Sequence, residues 1–193
     1  GARKSRLFFC ERLRKHREVF MITASDLHTI LPAATGGNID RFWQPLNDTM
    51  DEFEINTPTR QAAFLAQIGH ESGSLRYVRE LATGGAYEGR VDLGNTEPGD
   101  GIKFKGRGLI QITGKANYAA CGAALGVDLL ADPIALEDPD LAARSAGWFW
   151  KTHGCNELAD AGNFQKLTKR INGGLTGYNE RVAIWERAKE QLA

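Results

Sequence analysis

The sequence TPTRQAAFLAQIGHESG, residues 57–73, predicts a buried helix that ends beside an acidic side chain. Thr57 has the side chain of an N-cap, and Pro58 suits the first helical position, where the missing N–H is no loss. The middle of the stretch consists of apolar residues and good helix formers, which is typical of a helix at the centre of a domain. Ser72 and Gly73 then end the helix directly after Glu71.

Glu71 is the first candidate catalytic residue. A carboxylate at a helix C-terminus meets the negative end of the helix dipole, and apolar neighbours add a desolvation cost. Both effects disfavour the ionised form, which suits a general acid. The alternative is a solvated glutamate at a frayed helix end, which is the ordinary situation for a glutamate.

A second carboxylate, Glu80, follows nine residues after Glu71. Hydrolysis of a glycosidic bond needs two carboxyl groups, one protonated to assist the leaving oxygen and one ionised to activate water or attack directly. Because Ser72 and Gly73 break the helix, the chain can turn so that the two glutamates face each other across a cleft. Four other acidic residues fall in a glycine-rich segment and are expected to be solvated: Glu88, Asp92, Glu97 and Asp100.

Length and composition predict a single globular domain over residues 21–193. The chain has 193 residues, of which 42% are apolar and 25% are charged, so it can bury one proper core. The net charge is zero, which gives no overall electrostatic attraction to nucleic acid. We therefore expect no nucleic-acid partner.

Residues 1–20 form a basic N-terminal extension, with seven Lys or Arg against two Glu, a balance of +5. Because residues 21–23 resemble a natural translation start, we expect the extension to be disordered or foreign to the working protein. The alternative is a cationic arm that makes weak contact with an anionic membrane. Its apolar cluster, residues 7–9, is too short for a signal peptide, and no apolar run approaches the length of a membrane span.

Three cysteines, Cys10, Cys121 and Cys155, are too few and too scattered for a disulfide framework or a zinc site. We expect them to be reduced thiols. The sequence contains no metal-ligand cluster and no phosphate-binding loop, and glycoside hydrolysis requires neither. No metal and no cofactor are therefore expected.

Hydrophobic periodicity predicts a mainly α-helical chain. Beyond the central helix, further helices are expected at residues 25–31, 38–53, 117–125, 140–152, 164–171 and 179–192. Residues 83–101 are expected to form a long loop, and long loops in compact domains tend to be functional. Residues 104–113 are expected to form a glycine turn and a short extended segment that presents Gln111 and Thr113. The aromatic triplet 148–150 is expected in the core.

Several motifs occur together in this chain: Ala62–Gln67 with His70–Gly73, Gly106–Thr113 with Asn117-Tyr118, Leu125–Leu130, Trp148–Trp150, Ile171–Gly174 and Arg181-Val182. In this order they resemble glycoside hydrolase family 19, and in particular its phage endolysin and prophage branch. The resemblance covers nearly everything from about residue 55 to the end of the chain.

The resemblance implies a lysozyme-like α-helical domain with a substrate cleft, at most a small β element, and inversion through a single displacement by water. Glu71 matches the general acid, and Glu80 matches the general base as placed in the shorter bacterial members. Thr113 falls where the family often has a serine that helps to hold the attacking water. Four residues match positions that bind sugar or hold the carboxylates: Gln111, Asn117, Asn172 and Arg181. An inverting pair should be roughly 6.5–9.5 Å apart.

These matches also have structural interpretations. Gln111 and Asn117 would then only satisfy buried backbone groups. Asn172 would cap a helix C-terminus, and Arg181 would be an ion-pair partner without catalytic consequence. His70 is expected to be a structural, hydrogen-bonding histidine.

Two positions depart from the chitinases of the family. Those enzymes usually place an aromatic residue directly before Gly-Arg-Gly, where this chain has Lys105, and their proline after the motif is Leu109 here. The disulfides of plant members are also absent. These departures favour peptidoglycan, whose glycan strands share the N-acetylated sugars and the β-1,4 linkage of chitin.

The expected role is that of a monomeric phage lysin. It would stay in the host cytoplasm, without a signal peptide, until holin holes release it to the periplasm and to the peptidoglycan. Three rival functions remain open: a chitinase acting on chitin oligomers, a lytic transglycosylase that needs one glutamate and leaves anhydro sugars, and a glycan-binding protein without catalysis.

Overall fold

Helices form almost all of the regular structure in the computed structural model, which describes residues 21–193. The basic extension and Cys10 lie outside the described residues. In chain order the α-helices are α1 (Ala24–Ile30), α2 (Gly36–Glu52), α3 (Pro58–Glu71), α4 (Asp100–Lys103), α5 (Lys115–Leu125), α6 (Pro139–Thr152), α7 (Cys155–Asp160), α8 (Phe164–Asn172) and α9 (Tyr178–Leu192). Short 3-10 helices lie at Gly85–Tyr87, Val91–Leu93 and Pro133–Glu137.

Helix α3 is the centre of the fold, as predicted. The Thr57 side chain caps it by accepting a hydrogen bond from the backbone N–H of Arg60 at 3.2 Å, and Pro58 is its first residue. Residues 61–69 are all buried. Because Gly69 has no side chain, Leu31 can pack against it: a Cβ there would lie 2.5 Å from Leu31 Cδ2. The helix packs mainly against α9.

A second helix pair, α2 and α6, packs along one side of the core. The close approach depends on Gly147, where a Cβ would lie 2.3 Å from Phe53 Cδ2. Trp150 of α6 is fully buried and meets Phe64 of α3 edge to face, with ring centroids 5.3 Å apart. This contact joins the two helix layers into one core.

The mainly α prediction is confirmed, and the expected helices agree with α1, α2, α5, α6, α8 and α9 to within a few residues. The prediction for residues 104–113 was wrong in part. The chain does turn at Gly108, but it closes back on itself, with Arg107 bridged to Ile112. Gln111 adopts a left-handed backbone with φ +59° and is not extended. The buried side chains of Leu109 and Ile110 hold the turn in the core, which an alternation pattern does not show.

Described β structure is limited to two isolated antiparallel bridges, Arg79 with Arg107 and Arg107 with Ile112. Cys121 and Cys155 are free and buried, as expected, and burial raises the pKa of each thiol to about 12. Within residues 21–193, none of the helices combines the length and hydrophobicity that a membrane span requires.

Candidate active site

Glu71 is the last residue of α3, and its carboxylate contacts a buried arginine from α9. Nη2 of Arg181 donates a hydrogen bond to Glu71 Oε1 at 2.5 Å. The Arg181 side chain is 1% exposed and that of Glu71 is 20% exposed. Besides the apolar neighbours predicted from the sequence, Glu71 therefore has a positive charge beside it, supplied by a residue 110 positions away.

His70, beside the candidate acid, makes structural contacts. Its Nδ1 lies 3.1 Å from Oε2 of Glu180, and Gly177 packs directly on the imidazole ring. Burial, followed by the positive charge of Arg181, lowers the pKa of His70 below its ordinary value. The neutral imidazole is thus the favoured form near pH 7.

Glu80 lies after the turn that follows α3 and is held by the backbone of Gly106. The Glu80 N–H donates to the Gly106 carbonyl at 3.0 Å. In return, the Gly106 N–H donates to Glu80 Oε2 at 2.8 Å. The Tyr87 hydroxyl lies 3.4 Å from Oε1, and burial together with the Glu80 charge raises the pKa of Tyr87. One carboxylate oxygen therefore has a firm donor and the other a weak one.

Three residues predicted from the sequence converge at Gly106. A Cβ placed there would lie 2.7 Å from Gln111 Oε1, 2.9 Å from Glu80 Oε2 and 3.3 Å from Thr113 Oγ1. The candidate base, the candidate water-holding hydroxyl and a candidate sugar-binding amide thus surround one small space. Only glycine leaves this space open.

The polar side chains beside Glu80 are also tied to the local backbone. Gln111 Nε2 donates to the Gly108 carbonyl at 3.0 Å, and the Thr113 hydroxyl donates to the Gln111 carbonyl at 3.0 Å. Asn117 Nδ2 donates to the Thr113 carbonyl at 2.7 Å. These bonds match the structural interpretation of Gln111 and Asn117, but each amide oxygen keeps acceptor capacity for a ligand.

A cavity of about 250 Å³ adjoins this cluster. Gln111, Thr113 and Asn117 form its polar wall. Its other lining residues are mostly apolar or aromatic: Leu93, Ile110, Ile112, Trp148, Phe149 and His153. The expectation that the aromatic triplet lies in the core is therefore confirmed only in part. Trp150 is fully buried, whereas Trp148 and Phe149 are partly buried, pack against the core and line the cavity.

His153 also lines the cavity, although no pattern in the sequence predicts this role. Its ring stacks on Phe149 with centroids 3.7 Å apart, and Nδ1 lies 2.8 Å from the Phe149 carbonyl oxygen. A histidine just after a helix has no signal of its own in the sequence. Its placement beside the cavity follows only from the fold.

Asn172 and Arg181 lie outside the Gly106 cluster. Asn172 is the last residue of α8, directly before Gly173 in the left-handed conformation at φ +74°. Arg181 contacts Glu71, Gln67 and the Thr176 carbonyl. The candidate site thus has two parts, one built on Glu71 and Arg181 and one on Glu80 and Gly106.

Not all of the loop carboxylates are solvated as expected. Asp100 is buried and accepts hydrogen bonds from the backbone of Thr96 and Glu97 and from Lys115. The Glu97 N–H, with help from Lys115, lowers the pKa of this carboxyl. Glu88 accepts hydrogen bonds from two loop N–H groups at 3.0 and 3.2 Å. Both carboxylates shape the loop that carries Tyr87.

Within residues 21–193, no group of three or more His, Cys, Asp or Glu side chains could hold a metal ion. The side chains that the candidate site does present are carboxylates, hydroxyls, amides and an arginine.

Comparison with known proteins gives the following similarities. A family model described as chitinase class I matches residues 54–163. A glycosyl hydrolase family 19 domain-containing protein of Haemophilus influenzae is 35% identical over 196 residues, covering 86% of this chain and 94% of that protein. An Arabidopsis thaliana endochitinase is 39% identical over 132 residues, but the match spans only 45% of its length.

Two solved structures share the fold. Chitinase C from Streptomyces griseus is 23% identical, with a TM-score of 0.76 and coverage of 92% of this chain and 95% of that one. A bacterial family 19 chitinase is 26% identical, with a TM-score of 0.73 and coverage of 89% and 95%.

Proposed function

Because the chain belongs to glycoside hydrolase family 19, we propose that it hydrolyses β-1,4 glycosidic bonds of bacterial peptidoglycan, with Glu71 as general acid and Glu80 as general base. In this mechanism Glu71 gives its proton to the leaving oxygen while Glu80 takes one from the attacking water. The bond breaks in one displacement, and the anomeric configuration inverts.

The convergence of Glu80, Gln111 and Thr113 around Gly106 is the observation that carries the proposal. A general base needs a fixed carboxylate and a second group that holds the water. The Gly106 N–H fixes one oxygen of Glu80 at 2.8 Å. Because the Thr113 hydroxyl hydrogen is used by the Gln111 carbonyl, its lone pairs are free to accept a hydrogen bond from water.

The 250 Å³ cavity suits a substrate with neutral sugar rings. Its aromatic side chains offer apolar contact to the carbon faces of a sugar, while the amides of Gln111 and Asn117 offer hydrogen bonds to its polar groups. We therefore place part of the glycan strand in this cavity.

Lys105 supports peptidoglycan over chitin. At the position where chitinases of the family usually carry an aromatic residue, the Lys105 ammonium donates to the Ala82 carbonyl at 2.8 Å and to the Glu80 carbonyl at 3.3 Å. The lysine thus braces the segment after Glu80 and offers no aromatic face. Leu109, in place of the usual proline, is fully buried.

In the cell we propose the role of a phage endolysin. The enzyme would act as a monomer and reach the peptidoglycan of the host from the cytoplasm, after a holin opens the inner membrane. Residues 1–20 would make at most a weak contact with anionic lipid, and the working domain would be residues 21–193.

A chitinase is the second candidate function. It is favoured by the similarity of the chain to an endochitinase and to two bacterial chitinases. Purified chitin oligosaccharides and purified Gram-negative peptidoglycan, offered separately, distinguish the two functions by the ratio of their hydrolysis rates.

Mass spectrometry of soluble fragments released from that peptidoglycan tests the proposal. We expect wild-type protein to release fragments with reducing ends, and Glu71→Gln to release none. Fragments with anhydro ends, together with full activity of Glu80→Gln, would instead identify a lytic transglycosylase. Binding to the wall without release of fragments would identify a glycan-binding protein.

A further inference from the structure

Gln67 is a fully buried polar residue on α3 that the proposed mechanism does not use. Its Oε1 accepts a hydrogen bond from Nη1 of Arg181 at 2.6 Å. Its Nε2 donates to Oγ1 of Thr168, a fully buried residue of α8, at 2.8 Å. Both ends of the side-chain amide are therefore occupied.

Thr168 stabilises the orientation in which the Gln67 amide meets Arg181. An arginine donates hydrogen bonds and accepts none, so the Gln67 oxygen has to face the guanidinium. The amide nitrogen then needs an acceptor, and the Thr168 hydroxyl supplies one. Without that acceptor a buried donor is left unpaired, and a flipped amide would present its N–H groups to a positive charge.

Arg181 spans one turn of α3. Gln67 and Glu71 are four residues apart, so their side chains lie on the same face of the helix. Nη1 of Arg181 reaches Gln67 at 2.6 Å, and Nη2 reaches Glu71 at 2.5 Å. Because the guanidinium is planar and rigid, fixing one of its nitrogens fixes the direction from which the other meets the carboxylate.

We propose that Thr168 and Gln67 are positioning residues that hold Arg181 in the orientation in which it fixes Glu71. This inference rests on the proposed function of Glu71 as the general acid. Glu71 itself touches the reacting bond, whereas Gln67 and Thr168 act only through Arg181.

Gln67 binds Arg181 without adding a negative charge beside Glu71. Among the described residues, Arg181 contacts the Glu71 carboxylate, and the neighbouring His70 contacts Glu180. In the proposed mechanism the Glu80 carboxylate also faces Glu71 across the cleft. A glutamate at position 67 would share Arg181 with Glu71, and its negative charge would make ionisation of Glu71 less favourable. The general acid of Gln67→Glu would then keep its proton to higher pH than that of the wild type.

Four variants test the inference, assayed on whichever glycan the wild type hydrolyses. Thr168→Val removes the hydroxyl and keeps the shape, and Thr168→Ser keeps the hydroxyl. Gln67→Glu changes the charge. Thr49→Val is the matched control, because Thr49 is fully buried in α2 and its hydroxyl has no hydrogen-bond partner among the described residues.

We expect Thr168→Val to lower kcat roughly 10- to 100-fold with KM unchanged, as small misplacements of a reacting group do. Thr168→Ser and Thr49→Val should keep the wild-type kcat. Gln67→Glu should shift the alkaline limb of the pH–rate profile to higher pH. Circular dichroism at the assay temperature checks that each variant is folded.

A folded Thr168→Val with wild-type kcat would overturn the inference, and so would a Gln67→Glu profile with an unmoved alkaline limb. Hydrolysis of chitin oligosaccharides but not of peptidoglycan would overturn the proposed substrate, while the same variants still test the inference on chitin. Absence of cleavage of either glycan would overturn both.

Discussion

At the scale of single residues, Gly106 is the position where the candidate site leaves no room for a side chain. A Cβ there would lie 2.7 Å from Gln111 Oε1 and 2.9 Å from Glu80 Oε2, closer than real carbon atoms approach their neighbours. The obstructing atoms are the ends of flexible side chains. An added methyl group would therefore displace the candidate base and its neighbour and leave the rest of the fold in place.

We predict that Gly106→Ala lowers kcat about 100-fold and changes the free energy of unfolding by only about 1 kcal/mol. Gly37→Ala is the matched control, because a Cβ at Gly37 meets nothing within 4 Å. Steady-state kinetics and urea denaturation measure the two effects. Full activity of Gly106→Ala would contradict the placement of the site.

Lys105 offers a test of substrate preference at the same scale. We predict that Lys105→Tyr raises the ratio of chitin to peptidoglycan hydrolysis, because an aromatic face gains about 0.5–1.5 kcal/mol of contact, roughly two- to tenfold in rate. Lys105→Met, which also loses the bonds to the Ala82 and Glu80 carbonyls, is the control. An equal change in both variants would show that the lost lysine, not the gained ring, is responsible.

At the scale of elements, Arg107 ties the turn that carries Gly106 to two other parts of the fold. The side chain is 8% exposed, and its Nε donates to Glu137 at 2.9 Å. Its Nη1 donates to the Lys103 carbonyl at 2.9 Å and to the Tyr118 hydroxyl at 3.0 Å. The turn around Gly106 is thus held from α4, α5 and the 3-10 helix at Pro133–Glu137.

We predict that Glu137→Gln lowers the free energy of unfolding by about 1–3 kcal/mol, because it leaves a buried arginine without its counter-charge. Glu186→Gln, which removes an exposed partner of Lys189, should change it by less than about 1 kcal/mol. Urea denaturation at neutral pH compares them. Equal effects would show that the Arg107 pair is no more important than a surface pair.

The sequence predicts the helices of this fold well and its turns less well. Thr57 and Pro58 mark the start of α3, and a glycine marks the end of α5, because caps and breakers act locally. The left-handed Gln111 could not be predicted, since the buried residues beside it impose that conformation. The buried, hydrogen-bonded state of Asp100 could not be predicted either, because the Lys115 ammonium that contacts it comes from 15 residues away.

At the scale of the whole molecule, two aspartates and one histidine make the free energy of unfolding depend on pH. The Arg60 hydrogen bond lowers the pKa of Asp160, and backbone N–H groups with Lys115 lower that of Asp100. His70 also has a lowered pKa, chiefly through burial. In each case the unfolded chain binds the proton more readily than the folded one. Acid therefore destabilises the fold, from about pH 6.5 downwards for His70 and below about pH 3.9 for the aspartates.

We predict that the urea midpoint of the wild type falls as the pH is lowered from about 7 to about 2. Asp100→Asn should be less stable at neutral pH and lose less stability on acidification, because its hydrogen bonds no longer depend on a charge. Asp40→Asn, which changes an exposed aspartate of α2, is the control. A midpoint that is independent of pH would contradict the assignment of these ionised contacts.

The candidate site as a whole is assembled from distant parts of the chain. The pair of Arg181 with Glu71 joins residues 110 positions apart, and the bond of Gly106 to Glu80 joins residues 26 apart. Local sequence patterns indicate the end of α3 and its carboxylate, but they contain no information on these partners. Only the order of the family motifs pointed to Arg181, and no sequence signal pointed to Thr168 or His153.

If Glu71 and Glu80 act as an inverting pair, the product forms first with the opposite anomeric configuration to the substrate. Proton NMR of the newly formed reducing end, recorded before the anomers equilibrate, tests it most directly with soluble glycan strands as substrate. For an inverting pair we expect the α anomer to appear first from the β-linked substrate and Glu71→Gln to form none. Initial formation of the β anomer, or of an anhydro sugar without a reducing end, would contradict the inverting mechanism.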